Sequence, residues 1–118
     1  MAGATFCYNK KMTLEKTNRM NLLLDTYAAL LNDRQQEVLK QYYSEDFSLT
    51  EIADLSSLSK QAVSDLLKRS EKKLENFEKM LHLIEKENQR REIISKLMEM
   101  YPADLKLIQE LTYLQDID

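Results

Sequence analysis

The 118-residue chain has one glycine, one proline, one cysteine, one histidine and no tryptophan. The glycine is Gly3, so no later segment can form a glycine-dependent phosphate loop, a dinucleotide fingerprint, a nucleophile elbow or an EF-hand loop. Sheet proteins mark their turns with Gly and Pro, and this chain has almost none of either. With 31% charged residues and so few breakers it reads as all-α. Cys7 alone excludes a zinc ribbon, a zinc finger and an internal disulfide. His82 alone excludes H-E-x-x-H and any multi-histidine metal site, so no metal and no cofactor is expected. No nucleophile and base are paired recognisably, and the chain is not expected to be an enzyme. The longest apolar run, Ala28-Ala29-Leu30-Leu31, is too short to span a bilayer. With neither a signal peptide nor a disulfide framework, a reducing cytoplasm is the expected compartment.

What is present is charge, unevenly placed. The net charge is −3, which argues against wholesale coating of nucleic acid. Residues 15–57 hold four positive and eight negative charges. Residues 58–73 reverse the balance, with Lys60, Lys68, Arg69, Lys72 and Lys73 against Asp65 and Glu71. A net-acidic chain with one basic segment can still bind a polyanion through that segment.

Residues 1–13 lack periodicity and read as a flexible extension. From Leu14 to Asn32, Met20, Leu23, Leu24, Tyr27, Leu30 and Leu31 fall at amphipathic-helix spacing. Asp33 with Gln36 reads as the capping box of a second helix, which presents Val38, Leu39, Tyr42 and Tyr43 and ends near Ser44-Glu45-Asp46. Ser48 with Glu51 opens a third helix carrying Leu49, Ile52 and Ala53, broken at Ser56-Ser57. Ser59 caps a fourth, with no breaker before Pro102, although the heptad pattern fails at Asn88 and Arg91 and predicts a bend or chain reversal near Glu87–Arg91. Pro102 suits the first turn of a last helix with Leu105, Ile108, Leu111 and Leu114 on one face.

Leu49 to Lys68 is the informative stretch. A helix-turn-helix needs two short helices over a tight turn and a small residue where they touch, which Ala53 supplies. Ile52, Leu58, Val63 and Leu66 have the spacing of a shared core. The second helix then presents Ser59, Lys60, Gln61, Ser64 and Lys68 toward a major groove, with Arg69, Lys72 and Lys73 placed for the phosphate backbone. Gln can pair with adenine through two hydrogen bonds, and Lys reaches guanine acceptors or phosphate. Asp65 sits on the same helix and would repel phosphate if it faced the groove. The turn lacks Gly and Asn, so Ser57 must take the left-handed conformation that Gly usually takes.

Arg34-Gln35-Gln36-Glu37-Val38-Leu39, Tyr42-Tyr43, Ser48-Leu49-Thr50-Glu51-Ile52-Ala53, Ser59-Lys60-Gln61-Ala62-Val63 and Lys68-Arg69 together resemble sigma-factor region four. Glu15-Lys16-Thr17-Asn18-Arg19-Met20-Asn21, ahead of that motif and a long charged helix, looks like the YlxM family of small bacterial proteins. The resemblance runs from about Leu14 to Tyr101. It implies an all-helical cytoplasmic protein of low-GC Gram-positive bacteria or mollicutes, acting as a DNA-binding regulator. It also implies a link to the signal recognition particle pathway, through genes that neighbour those of its GTPase subunit or receptor.

The expected organisation is a flexible extension over 1–13, a helix-turn-helix domain of the region-four type over 14–73, and a helical arm over 74–118. Leu67, Leu74, Phe77, Leu81 and Ile84 repeat as a heptad seam, which fits an intrachain core and a dimer interface equally. A homodimer would suit the motif, because paired recognition helices read two half-sites. Two functions follow. One is a DNA-binding regulatory protein with duplex DNA as its partner. The other is an interaction module for the signal recognition particle, acting on its GTPase or its RNA without reading DNA sequence. Neither requires insertion into a membrane.

Overall fold

A computed structural model describes residues 13–117, so Cys7 and the rest of the extension before Thr13 lie outside the described residues. Six α-helices follow one another among those residues: α1 Leu14–Tyr27, α2 Asp33–Leu39, α3 Leu49–Ser56, α4 Lys60–Leu81, α5 Leu83–Met100 and α6 Leu105–Asp116. The all-α expectation holds. None of these helices is long and apolar enough to cross a membrane.

The chain divides into two compact units, Met1–Leu81 and His82–Asp118. The division falls eight residues beyond the domain boundary expected at 73/74, because α4 continues unbroken through that point. The described part of the first unit has one core. Met20, Leu23, Leu24 and Tyr27 of α1, Val38 and Leu39 of α2, Ile52 and Ala53 of α3, and Val63, Leu67 and Leu74 of α4 are all buried. Ser70 is fully buried among them, and its hydroxyl donates to the Leu66 carbonyl at 2.7 Å. That bond satisfies the polar group locally and leaves a small side chain in the core.

Several boundaries differ from the sequence reading. The first helix ends at Tyr27 and gives way to a 3₁₀ turn over Ala28–Leu30, instead of running to Asn32. Asn32, not Asp33, caps α2: its side chain accepts from the Gln35 amide, and Gln35 reaches back to the Asn32 N–H. Asp33 becomes the first helical residue, where its charge complements the helix dipole. Beyond Leu39 the chain widens into a π turn over Lys40–Ser44, which buries Tyr42 and Tyr43 edge-to-face with ring centroids 5.0 Å apart.

The bend or chain reversal expected at Glu87–Arg91 is absent, since one helix runs from Leu83 to Met100. The heptad pattern lapses there because Glu87 pairs with Arg90 at 2.7 Å and Arg91 at 3.5 Å on a polar helix face. The break lies earlier, at His82, whose φ of 56° is left-handed. His82 Nδ1 lies 3.1 Å from a Glu85 carboxylate oxygen. Asp46 and Ser57 are the other two described residues with positive φ, at 63° and 60°. All three end a helical segment where many proteins place Gly. In the second unit, Pro102 lies in the turn before α6 and not in its first helical turn, and Asp104 is the cap. Leu111 is the one buried member of the expected α6 face; Leu105 and Leu114 are exposed.

Candidate nucleic-acid interface

Helices α3 and α4 form the helix-turn-helix. Ser48 and Glu51 make the capping box expected of α3, with the Ser48 N–H donating to the Glu51 carboxylate at 2.9 Å and the Glu51 N–H donating to Ser48 Oγ at 3.1 Å. The Ser48 N–H first, and then the Ser48 hydroxyl, hold the Glu51 carboxyl below the usual carboxylate range. Ser57 takes the left-handed conformation demanded of it, and Ser59 Oγ accepts from the Ala62 N–H at 3.0 Å to start α4. Ile52 and Ala53 on one helix and Val63 on the other are buried, whereas Leu58 and Leu66 of the expected core are half-buried.

A ridge on α4 carries the candidate face. At 3.6 residues per turn, Lys60, Ser64, Lys68, Glu71, Glu75 and Glu78 succeed one another at intervals of three or four. The ridge changes sign along its length. Its acidic half is engaged by other elements: Lys16 lies 3.5 Å from Glu71, the Tyr43 hydroxyl donates to Glu71 at 2.5 Å, and Arg19 grips Glu75 through two nitrogens at 2.8 and 3.3 Å. Tyr27 donates to Glu78, which is buried, at 2.5 Å. The bond to Glu75, then its charge, raises the Arg19 guanidinium further above its ordinary value, against the opposing effect of burial. The cationic half, Lys60 to Lys68, is exposed except for half-buried Ser64.

A second row holds Gln61, Asp65, Arg69, Lys72 and Asn76, all exposed. Gln61 Nε2 donates to Asp65 Oδ1 at 3.0 Å. Farther along, Arg69, Lys72, Lys73 and Asn76 line a groove with Leu66 and with Asn32 and Gln35 from the start of α2. Ser59 through Lys73 therefore form two sets. Ser59, Lys60, Gln61, Ser64 and Lys68 occupy the first turns of α4, and Arg69, Lys72 and Lys73 the groove. The sequence reading missed the part played by α2, because Asn32 and Gln35 reach the groove only through tertiary packing.

The heptad residues do not form one seam. Leu67 and Leu74 are buried in the core of the first unit, and Phe77 stands 6.0 Å from Tyr27, centroid to centroid. Leu81 is exposed, and the left-handed His82 interrupts the helix before Ile84. Among the described residues no group of His, Cys, Asp and Glu is arranged to hold a metal ion.

A family model matches residues 14–114: UPF0122, described as "Putative helix-turn-helix protein, YlxM / p13 like". A UPF0122 protein of Lactococcus lactis subsp. cremoris is 47% identical over 107 residues, covering 91% of this chain and 96% of the relative. UPF0122 proteins of Streptococcus gordonii and Streptococcus suis are 45% and 44% identical, covering 91% and 92% of this chain and 97% and 96% of theirs.

Proposed function

We propose that this chain, which belongs to the UPF0122 family of YlxM/p13-like helix-turn-helix proteins, is a regulatory protein that binds duplex DNA with α4. The observation that carries the proposal is the change of sign along one ridge of α4. Its acidic half is taken up by α1 and the tyrosines, and its cationic half is left exposed ahead of them. The first turns of α4 read the major groove, and Arg69, Lys72 and Lys73 meet the phosphate backbone. Affinity would then come from local cations in spite of the net charge of −3. Titration of the folded protein into random-sequence duplex at low salt tests this, and no binding contradicts it.

We further propose that the protein is a homodimer joined through its second unit. Two helices in 37 residues cannot bury an adequate core alone. Ile93, Met100, Leu105 and Tyr113 of this unit are each more than half exposed. A second copy supplies the same apolar surface and closes a four-helix arrangement. The same exposed residues support the alternative, an interaction module in the signal recognition particle pathway. Sedimentation of the protein alone, and then with the particle's GTPase and RNA, separates the two. A dimer that ignores both supports the first, and a monomer that joins either supports the second.

A further inference from the structure

Asp65 fits poorly with a helix that approaches phosphates, and its partner explains it. The Gln61 amide and the Asp65 carboxylate, one helical turn apart, are joined at 3.0 Å. An ionised carboxylate only accepts, so the amide must turn its NH₂ toward Asp65 and its carbonyl oxygen away. Both side chains are exposed, and among the described residues no other helix's ion pairs cover that part of α4.

We propose that Asp65 is a positioning residue that locks Gln61 to read adenine, an inference that rests on the duplex-binding role proposed above. With the hydrogen anti to Oε1 given to Asp65, Oε1 and the remaining hydrogen lie on one free edge. That edge matches adenine, whose N6 donates and whose N7 accepts in the major groove. Guanine presents two acceptors there, so Oε1 meets O6 with no hydrogen between them, and the nearby carboxylate adds repulsion. The negative charge weakens binding to any duplex and sharpens the choice of one base pair, so Asp65 trades affinity for selectivity.

The experiment selects bound duplexes from a random pool at moderate salt. It then measures binding to the selected site and to the same site with one A·T pair changed to G·C, for wild type, Asp65→Ala, Asp65→Glu and Gln61→Ala. Thermal melts confirm that each variant is folded. The expected wild-type preference at one A·T pair is roughly tenfold or more. Asp65→Ala loses most of it and binds random duplex as tightly as wild type or more tightly, Gln61→Ala loses all of it, and Asp65→Glu keeps it. A helix-supporting role for the pair would change melting and leave the preference alone. An undiminished preference in Asp65→Ala overturns the proposal, as does equal strengthening toward both sites. Failure of wild type to bind any duplex removes the underlying reading and this inference with it, and differs visibly from either result.

Discussion

Tyr27 of α1 donates its hydroxyl hydrogen to the buried carboxylate of Glu78 on α4, oxygen to oxygen at 2.5 Å. A carboxylate inside a core costs free energy unless it is hydrogen-bonded. Here the bond ties the end of the first helix to the far half of α4, and it begins the series that Arg19–Glu75 and Lys16–Glu71 continue toward the helix-turn-helix. The core thereby fixes how far α4 projects beyond α1, and so which cations stay exposed.

Tyr27→Phe removes this donor and keeps the ring. Hydrogen bonds to charged groups contribute about 1.5–3 kcal/mol, and the variant is expected to lose stability in that range. Urea unfolding monitored by circular dichroism measures it. A midpoint equal to wild type would show that the bond adds nothing. Arg19→Ala acts on a more exposed pair and is expected to cost about 1 kcal/mol or less.

Ser57 sits at φ 60° and ψ 25° between α3 and α4. A residue with a Cβ loses roughly 1–2 kcal/mol there relative to its preferred regions. Ser57→Gly is expected to raise the melting temperature by several degrees, and Ser57→Val to lower it, because a β-branched side chain fits left-handed backbone worst. Thermal melts of both variants decide the matter, and equal melting temperatures would mean the turn bears no strain.

Glu51 links the same motif to pH. Its carboxyl is held below its ordinary value by the Ser48 N–H and hydroxyl. A depressed folded-state value means that the contribution is full above the unfolded value and is lost as pH falls through the folded one. Stability should therefore decline as the pH drops through and below the ordinary carboxylate range. Glu51→Gln should flatten part of that decline, since a neutral amide does not titrate. Unfolding curves from neutral to acid pH test this, and parallel curves for the two proteins would contradict it.

Much of this architecture was legible in the sequence, for identifiable reasons. The Ser48–Glu51 box and the Ser59 cap are local, so spacing alone reveals them, and Ser57 followed from the missing glycine. The helix break at His82 has no Gly or Pro to mark it in the sequence. Asp and His also tolerate left-handed backbone, and Asp46 and His82 use that tolerance. Asn32 and Asp33 both fit the pattern of a cap, because Gln35 and Gln36 complete a box for either, and only the folded helix chooses between them. The roles of Glu71, Glu75 and Glu78 leave no local mark in the sequence, because their partners Lys16, Arg19, Tyr27 and Tyr43 lie 28 to 56 residues away in the chain, as with Tyr43–Glu71 and Arg19–Glu75. Ser70 gave no signal, since a buried serine that bonds its own helix resembles an exposed one in sequence.

The groove set and the first-turn set should separate in binding. Lys72→Ala is expected to weaken all duplexes alike, whereas Gln61→Ala changes the ranking of sequences. Competition assays with a selected site and a random duplex measure both effects. A uniform loss in both variants would mean that α4 meets only the phosphate backbone.

The salt dependence of duplex binding is the most direct measurement. Fluorescence anisotropy with a labelled duplex, from about 50 to 200 mM salt, should give a linear fall of log affinity against log salt for wild type, with a slope of about −0.9 for each phosphate neutralised. Arg69→Ala and Lys72→Ala should each shallow that slope by about one contact. A folded protein with no affinity at the lowest salt, or with an affinity that salt and these two substitutions leave unchanged, would contradict a role for α4 in binding DNA.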